Sequence, residues 1–556
     1  MSQPNLRKKI LLINPPIEDF YQTEKRQQPI GLRYIQAVLR KAGFETELID
    51  CLDSREKRTI PLPAHLGYLK KYYPPNDLSP FKLFTHYRHF GLSFDLLEKR
   101  ICSAQPDFIG ISVNFTPYFD MALKAAQVCK SIFPGIPIIA GGHHATSEPA
   151  SVLNSGFFDY VVLGEGELSF LKLMYVLSED NIDELNKIDG FAFRNENSIQ
   201  ISAPTIFIEN LDTIPNPEMD DSIGMIITSR GCPKNCNFCS ISKVMGKKVR
   251  FRSIDSVLHE MEFGIKNGVF NFDYEDDNLT INPKRAKQLF EGIINRFKDR
   301  SLKLSALNGI LTDTLDEELV QLMSRAGFEW LNIPLVSGSQ GMHEKIKRFQ
   351  SRQKFDKVIS WARKYKLKVV AYLIVGLPED TLDQMIEDII YLAYQPVLIG
   401  PSIFYPPPGS VTFFNCIDKN YISGKDFTLY RSSALPVETE NFSRRDLITL
   451  FRLVRTINYF KHILGTKLKD RETINEYLTR NNFPADELIF AKKLETEEIG
   501  RILINQLFKF HKLRGLACTA GSGNEYKYDW IEYEISQNLI DQWIEAFDIQ
   551  KVLPII

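Results

Sequence analysis

Three cysteines lie close together in the segment GCPKNCNFCS, residues 231–240. Cys232, Cys236 and Cys239 form a CxxxCxxC pattern, and an aromatic residue, Phe238, precedes the last cysteine. A structural zinc site takes four protein ligands, so three thiolates are one short of a closed site. An iron–sulfur cluster normally takes four thiolates, and a cluster held by three keeps one iron free of protein ligands. The pattern therefore favours a 4Fe–4S cluster whose open iron binds an amine and a carboxylate of a small molecule.

Two other interpretations of the cysteines stay open at this point. They could belong to a structural zinc site with a distant fourth ligand, or they could bind no metal. No second CxxC and no HxxxH segment lies nearby to complete a zinc site. Eight cysteines in 556 residues do not resemble a disulfide framework, and cysteine clusters in reducing compartments favour metal binding or catalysis. The sequence therefore predicts a cytoplasmic, metal-binding protein.

Length and charge narrow the class of protein further. The chain is longer than one hydrophobic core usually supports, so several domains are expected. Its formal net charge is −1, and the absence of a strongly basic segment argues against nucleic acid as the main partner. The amino-terminal apolar run is too short for a signal peptide. No apolar run reaches the roughly 18 residues of a membrane-spanning helix.

Residues 1–200 are predicted to form an α/β domain with a doubly wound parallel sheet. Apolar strands alternate with helical segments, apart from an insertion at 52–100, and this alternation is typical of parallel sheets with helices on both faces. Such sheets bind ligands at the loops beyond the carboxyl ends of their strands. Those loops are predicted at 14–16, 112–114, 141–144 and 164–167.

A second α/β domain is predicted at 223–410, after a proline-containing linker at 201–222. Six strand–helix units indicate a partial (β/α)6 TIM-like barrel, in which chemistry takes place at the carboxyl ends of the strands. The cysteine loop directly follows the first of these strands. Residues 411–556 are predicted to be mainly helical. The helix at 446–460 is expected to cover the barrel mouth. Contact of this helix with a membrane surface is the alternative.

The chain resembles the cobalamin-dependent radical S-adenosylmethionine (radical SAM) enzymes over most of its length. The cysteine pattern is the signature of radical SAM enzymes, and four features precede it in the order found in relatives that carry a cobalamin-binding domain. These features are the strand ending in NPP, PIGLRYIQAVLRKAGFETELID, IAGGHHAT and VVLGEGE. The resemblance implies a 4Fe–4S cluster, S-adenosylmethionine, cobalamin and a reducing partner such as flavodoxin or ferredoxin. A flavodoxin-like domain with another ligand, or none, is the alternative for the first region.

The resemblance also implies which residues bind S-adenosylmethionine. The segment EDDN at 275–278 would bind the methionine amino group, and IVGLPED at 374–380 would lie along the adenine together with Phe238. The implied set is Phe238, Asp276, Asp277, Asn278, Asn308, Ser337, Gly376 and Pro378. An aspartate after a strand also commonly caps the next helix, which is the structural alternative for the carboxylates.

A second set of residues is implied for cobalamin. Glycines let the backbone approach the nucleotide tail closely, and the polar side chains could bond its amides or hydroxyls. The set is Asn14, Pro15, Gly31, Ser112, Asn114, Gly141, Gly142, Gly164, Glu165, Gly166 and Glu167. The chain has no DxHxxG segment, so cobalt is expected without a histidine ligand from the protein.

Two positions depart from the pattern of the family. Related sequences often carry an arginine where this chain has Leu311, and a glutamate where it has Val336. Losing one member of a buried charge pair leaves the other charge uncompensated at a cost of about 3–5 kcal/mol. Replacement of both the arginine and the glutamate by apolar residues avoids that cost. We expect a less polar wall at this part of the barrel mouth.

The sequence supports C-methylation of an unactivated carbon in a small-molecule or lipid-like substrate as the first hypothesis. Cyclisation, ring contraction or oxidation without methyl transfer is the alternative, and a non-catalytic cobalamin or cluster sensor is a third hypothesis. Tyr405, in a loop often found near the substrate, and Cys518, in a glycine-rich segment, are candidate catalytic residues. For Cys518, a buried and inert thiol is the simpler interpretation.

Overall fold

The structure is a computed structural model. It describes residues 8–21, 28–195, 198–219, 222–465, 474–496, 514–520, 526–548 and 551. Two α/β regions follow one another along the chain, and a third, mainly helical region packs against both.

A seven-stranded sheet is the centre of the first region. The strands of this region are β1 (Lys9–Asn14), β2 (Ile17–Asp19), β3 (Glu45–Asp50), β4 (Lys57–Thr59), β5 (Arg88–Phe90), β6 (Phe108–Ser112), β7 (Ile138–Gly141), β8 (Tyr160–Val162), β9 (Phe191–Asn195) and β10 (Ser198–Ser202). Five strands are parallel in the order β3–β1–β6–β7–β8, and β9 and β10 continue the β8 edge as an antiparallel hairpin. This order is that of flavodoxin-like sheets, whose ligand site lies where the order reverses, here between β1 and β6. The predicted doubly wound sheet is confirmed.

Helices cover both faces of this sheet, with α1 packed on α6 and α2 packed on α3. The helices are α1 (Ile30–Lys41), α2 (Phe94–Ala104), α3 (Phe119–Ile132), α4 (His143–Ser147), α5 (Pro149–Asn154) and α6 (Gly166–Ser178). Gly43 follows the end of α1, and its φ of +94° is a conformation that favours glycine,. The apolar residues of α1 recur at helical spacing and are buried,.

The insertion is shorter than predicted. Its short strands β4 and β5 pair with β2 in a small antiparallel sheet, and a 3-10 helix spans Ala64–Lys71. Helix α2 already begins at Phe94, where Ser93 caps it by accepting a hydrogen bond from the Leu96 amide,. The last part of the predicted 52–100 insertion is therefore a crossover helix of the main sheet.

The second region contains six parallel strand–helix units in chain order. Its strands are β11 (Ile223–Ile226), β12 (Ser229–Arg230), β13 (Arg250–Phe251), β14 (Asn271–Tyr274), β15 (Lys303–Ser305), β16 (Trp330–Val336), β17 (Lys368–Val375) and β18 (Leu398–Ile403). Sheets β11–β14–β15 and β16–β17–β18 meet at a parallel bridge between Leu304 and Phe328. The result is an open arc of six strands, as the partial (β/α)6 pattern predicted, while β12 and β13 form a separate antiparallel pair beside the cysteine loop.

Six of the seven helices that the structure describes in this arc begin at side-chain caps, and the exception is the first. The seven helices are α7 (Ile241–Val244), α8 (Ile254–Lys266), α9 (Pro283–Arg296), α10 (Glu317–Ala326), α11 (Gln340–Lys345), α12 (Arg352–Lys364) and α13 (Leu382–Ala393). The last but one of these, α12, is separate from α11, because Ser351 starts a new helix by accepting a hydrogen bond from the Lys354 amide at 3.3 Å,.

The third region is mainly helical, as predicted, but it also contains a hairpin that the sequence pattern did not reveal. Its elements are α14 (Val411–Asp418), α15 (Arg444–Gly465), α16 (Ile474–Arg480), α17 (Ala485–Thr496), β19 (Arg514–Ala520), β20 (Tyr526–Glu532) and α18 (Gln537–Ala546). The Leu78 amide of the insertion donates to the Leu516 carbonyl of the hairpin at 2.7 Å. The insertion and the hairpin thus form one structural unit.

Helix α15 lies in the core between the arc and the insertion. Asn458 exchanges two hydrogen bonds with the Ile399 backbone, at 3.0 and 2.7 Å, and so covers the free edge of β18,. Its apolar residues, among them Leu447, Leu450 and Val454, are fully buried. Burial of this face corrects the membrane-surface alternative for the helix. Among the helices that the structure describes, none is long and apolar enough to span a bilayer.

Arg452 of α15 ties the insertion to the third region. Its guanidinium donates to the carbonyls of Tyr72 at 2.8 Å and Phe81 at 3.1 Å, and lies 3.5 Å from the centre of the Tyr533 ring. The side chain is almost completely buried. Because the site is buried, removal of the guanidinium would leave the two carbonyls without a hydrogen-bond donor.

We expect Arg452→Ala to lower the free energy of unfolding by about 3 kcal/mol, since two buried carbonyls lose their donor and a ring contact is lost. Arg445 of the same helix is the control, because its ion pair with Glu534 is at the surface; Arg445→Ala should cost less than about 1 kcal/mol. Chemical denaturation of both variants measures the difference. Equal midpoints would contradict the role given to Arg452.

Candidate active site and cofactor-binding surfaces

The cysteine loop connects β12 to α7 and is held from three sides by backbone hydrogen bonds. The Cys232 amide donates to the Gly246 carbonyl at 3.2 Å, and the Asn237 amide donates to the Ile346 carbonyl after α11 at 3.0 Å. The Asn237 carbonyl accepts from the Thr412 amide of α14 at 3.0 Å. The loop therefore has a defined position at the carboxyl end of the arc, as the sequence predicted.

The number of thiols bears on the choice between an iron–sulfur cluster and zinc. A closed structural zinc site takes four protein ligands. Among the residues that the structure describes, no group of three or more His, Cys, Asp or Glu side chains is placed to hold a metal ion. A cluster instead spreads its thiolates over separate iron atoms. Cys232 is buried, and Cys236 and Cys239 are half-buried. Three thiolates are one short of a closed zinc site and suit a cluster with one open iron, so the donor set fits a cluster better than the zinc alternative.

Burial also sets the protonation of these thiols. Desolvation raises the pKa of Cys239 to about 11 and raises the pKa of Cys232 as well,. Both are thus neutral thiols before a metal binds, and coordination removes their protons. Phe238, between them, is partly buried against the main core.

Asp276, which follows β14, has a structural position. Its carboxylate accepts from the Thr228 amide at 3.1 Å, from the Thr228 hydroxyl at 2.8 Å and from the Ser229 hydroxyl. Burial raises its pKa. Since the carboxylate already fixes the chain that leads into β12, it supports the site and is less suited to bind the S-adenosylmethionine amine than its neighbours.

Asp277 and Asn278 stand closer to the expected cofactor. Asp277 accepts from the Gly231 amide at 2.8 Å, and burial raises its pKa to about 6. Gly231 has a φ of +92°, and a Cβ there would clash with the Lys248 carbonyl oxygen,. The buried Oδ1 of Asn278 accepts no hydrogen bond from any described residue. An ammonium donor would satisfy that oxygen, so Asn278 fits the predicted amine contact.

The end of β16 is strained. Val336 has a φ of +62°, which is rare for a β-branched residue, and β16 shows a register shift between Pro334 and Val336,. The next two residues are held by Asp388, which accepts from the Ser337 hydroxyl and the Gly338 amide, both at 2.9 Å. Ser337, predicted to contact S-adenosylmethionine, therefore already donates its hydroxyl hydrogen within the protein.

The remaining predicted S-adenosylmethionine residues follow β15 and β17. Asn308 is exposed and donates to Glu275 at 3.1 Å, next to the aspartates. Gly376 has a φ of +85° and packs against Leu447 of α15. Two residues beyond Pro378, Asp380 is buried and accepts from the Leu377 amide at 3.1 Å. Burial raises the pKa of Asp380 to about 8.

Part of the predicted cobalamin set gathers where the sheet order reverses. Asn14 ends β1 and donates to Asp50 at 2.8 Å, while Ser112 ends β6 beside Gly141. Asn114 accepts from the His143 amide at 3.2 Å. Gly142 has a φ of +120°, and a Cβ there would lie 2.8 Å from the Val113 carbonyl oxygen,. Pro15 follows β1, and Gly31 lies in the first turn of α1, with open space where its Cβ would be.

The predicted turn at 164–167 has a different environment. Glu165 forms ion pairs with Arg230 at 3.2 Å and Arg250 at 2.6 Å, and Glu167 pairs with Arg230 at 2.6 Å. A Cβ on Gly164 would contact Pro204 and the Val244 carbonyl oxygen. These contacts correct the expectation that the glutamates are free for corrin amides. The sequence did not predict Arg230 and Arg250 as partners of these glutamates. The only signal for them was their position on either side of the cysteine loop.

Of the two histidines at this edge, His143 is half-buried and His144 is buried. His144 lies 4.7 Å from the ring centres of both Phe119 and Phe427, and burial lowers its pKa to about 4. Burial lowers the pKa of His143 as well. His144 is therefore a neutral core residue between aromatic rings.

Three aromatic residues that follow strands are exposed. Tyr405, after β18, is 40% exposed, and two residues that were not predicted, Tyr21 and Phe115, are 48% and 62% exposed. Phe115 and Tyr405 stand beyond the carboxyl ends of β6 and β18, whereas Tyr21 follows β2 and its ring stacks on Phe84. Cys518 lies elsewhere, in β19 opposite Tyr528 of the hairpin.

Comparisons with known families agree with this geometry. The model of the Radical SAM superfamily matches residues 226–392, and the model of the B12 binding domain matches residues 87–174. The first match contains the cysteine loop and the ends of β14 to β17. The second contains the ends of β6, β7 and β8, where the polar edge of the sheet lies.

Two curated relatives cover most of the chain. Cytidylyl-2-hydroxyethylphosphonate methyltransferase of Streptomyces wedmorensis is 27% identical over 485 residues, which are 78% of this chain and 86% of that protein. Anaerobic magnesium-protoporphyrin IX monomethyl ester cyclase of Rubrivivax gelatinosus is 25% identical over 406 residues, 69% and 71% of the two chains. Among solved structures, the cobalamin-dependent S-adenosylmethionine radical enzyme OxsB with aqua-cobalamin has a TM-score of 0.62 and 14% identity. The fold likeness covers 99% of this chain and 80% of that one.

The raised pKa of Asp380 predicts a pH-dependent stability. The folded-state value of about 8 lies above the ordinary value of 3.8, so its stabilising contribution is complete below pH 4 and is lost as pH rises through 8. From pH 7 to pH 9 the wild type should lose about 1.4 kcal/mol more unfolding free energy than Asp380→Asn, whose amide does not titrate. Denaturation curves of both proteins at the two pH values test this. Parallel pH dependences would show that Asp380 is ionised throughout.

Proposed function

We propose that this chain, which belongs to the cobalamin-dependent radical SAM enzymes, transfers a methyl group to an unactivated carbon of a small-molecule substrate. The observation that carries the proposal is a loop with three thiols whose preceding strand, through Arg230, pairs with Glu165 and Glu167 after β8 of a flavodoxin-like sheet. That sheet contains the B12-binding match. A 4Fe–4S cluster, S-adenosylmethionine and cobalamin are therefore the cofactors of the enzyme.

The bound cofactors supply electron transfer, a 5′-deoxyadenosyl radical and a methyl carrier, and the protein supplies position and exclusion of water. Cys232, Cys236 and Cys239 would hold the cluster by three corners. The free Oδ1 of Asn278 would accept a hydrogen bond from the S-adenosylmethionine amine, and Asp277 would hold the start of the loop through Gly231. The edge formed by β1, β6 and β7 would bind cobalamin through Ser112, Asn114 and the glycine turn after β7.

The relatives favour methyl transfer and keep one alternative. One is a methyltransferase that acts on a phosphonate nucleotide, and another is a cyclase that acts on a porphyrin ester. The alternative for this chain is therefore cyclisation, ring contraction or oxidation with the same cofactors. The fate of an isotope-labelled methyl group distinguishes the two functions.

The open aromatic rings favour a flat or largely apolar substrate. Phe115, after β6, and Tyr405, after β18, present ring surface at the ends of strands from both α/β regions. Aromatic rings stack on planar groups with about 0.5–1.5 kcal/mol beyond area burial. We further propose a cytoplasmic location and a flavodoxin or ferredoxin as electron donor, because a reduced cluster requires a low-potential one-electron source.

Reconstitution tests the main proposal. Protein prepared without oxygen with iron, sulfide and cobalamin is mixed with methyl-labelled S-adenosylmethionine, a reductant and candidate metabolites. We expect 5′-deoxyadenosine and a product that carries the label, both measured by mass spectrometry. Cys236→Ala should lose iron and both products, whereas Cys102→Ala, which removes an exposed cysteine of α2, should keep them. Zinc in place of iron, or a product without label, would reject methyl transfer.

The proposed role of Tyr405 has its own test. Replacing the ring with a smaller aliphatic group in Tyr405→Leu removes one stacking surface, so KM for the methyl acceptor should rise about 3- to 10-fold. Formation of 5′-deoxyadenosine without acceptor should stay unchanged. Tyr405→Phe keeps the ring and is the matched control. An unchanged KM in Tyr405→Leu would remove this residue from the substrate surface.

A further inference from the structure

Four charged residues form a closed ion cluster between the first and the second α/β region. They are Glu165 and Glu167, at the start of α6, and Arg230 and Arg250, in β12 and β13. We propose that this interdomain ion cluster sets the distance between bound cobalamin and the iron–sulfur cluster. The inference rests on the proposed function only in requiring both cofactors to be bound.

The four side chains are linked without a gap. Arg230 reaches both glutamates, at 3.2 Å to Glu165 and 2.6 Å to Glu167, and Arg250 binds the second oxygen of Glu165 at 2.6 Å. A guanidinium can serve two carboxylates because its donors spread over a rigid plane. Arg230 thereby joins Glu165, the residue before α6, and Glu167, in the first turn of α6, directly to the strand that leads into the cysteine loop.

Burial and further contacts leave these groups little freedom. All four side chains are less than 9% exposed. Arg250 also donates to the carbonyls of Ile208 and Met245, at 3.0 and 2.7 Å. The Arg230 guanidinium lies 5.3 Å from the ring centre of Tyr34, on α1. Alternative rotamers would break several contacts at once, so the ion cluster fixes one relative placement of the two regions.

The connection to both cofactor sites is short. Arg230 is two residues before Cys232, and Asp277 holds the intervening Gly231. On the other side, Glu165 and Glu167 begin three residues after β8 ends, within the match to the B12 binding domain. A change in the ion cluster therefore moves the cysteine loop relative to the edge of the sheet that faces cobalamin.

A need for stability alone does not explain the arrangement. Apolar residues of similar volume often replace a buried ion network without loss of stability. Ion pairs differ from apolar packing in direction, because each donor must meet its acceptor at a defined distance and angle. Glu165, Glu167, Arg230 and Arg250 are accordingly positioning residues, which act on the reaction through the loops they hold.

The test is the distance between the paramagnetic Co(II) of cobalamin and the reduced cluster, measured by pulsed dipolar EPR on the protein loaded with both. Wild type should give one narrow distribution. Glu167→Gln, which removes one charge and keeps the shape, should broaden or displace it. The ratio of methylated product to 5′-deoxyadenosine should fall several-fold, because the radical forms but meets a misplaced methyl donor. Iron and cobalamin contents should remain at the wild-type level.

Two further variants make the result decisive. Arg230→Lys keeps the charge and the fold but has no planar fork for two carboxylates, so it should broaden the distribution as Glu167→Gln does. Glu209→Gln breaks an exposed ion pair with Lys248, at 2.6 Å in the same segment, and should change nothing. A wild-type distribution in fully loaded Glu167→Gln and Arg230→Lys overturns the inference. Failure of the proposed methyl transfer would instead appear as absent labelled product in wild type, with the distance measurement unaffected.

Discussion

The whole site depends on where the chain leaves the first strand of the arc. The Asp276 carboxylate accepts hydrogen bonds from Thr228 and Ser229, and the Asp277 carboxylate accepts one from the amide of Gly231. Both carboxylates follow β14, the neighbour of β11 in the sheet. Because adjacent parallel strands end at the same edge, two aspartates on one strand can hold the loop that follows the other. The cysteines owe their common position to this cross-strand contact.

Sequence reasoning worked best where chemistry restricts residue choice. Three thiols at fixed spacing and glycines after buried strands each have few structural explanations, so the cluster loop, the order of the two α/β regions and the glycine turn after β7 could be predicted. The doubly wound parallel sheet followed from the alternation of apolar and helical segments, whereas its strand order is known only from the structure. Asn278, named from the family resemblance, gains a physical reason in its unsatisfied buried oxygen.

Sequence reasoning failed where the partner of a residue lies far along the chain. Glu165 and Glu167 suit a ligand-binding turn, and only the fold reveals that Arg230 and Arg250, some 65 to 85 positions away, take them up. The hairpin of β19 and β20 escaped for the same reason, since its edge pairs with an insertion more than 400 residues earlier.

The joint construction of insertion and hairpin has a consequence for how such enzymes diversify. The Leu78 amide donates a hydrogen bond to the Leu516 carbonyl, and Tyr533 of the third region donates its hydroxyl hydrogen to Asp77 at 2.6 Å. Neither segment can be exchanged by itself without exposing unpaired backbone and a buried carboxylate. Recombination among homologues, natural or in the laboratory, must therefore transplant the two distant segments as a matched pair, while the cofactor-bearing halves between them can be inherited unchanged.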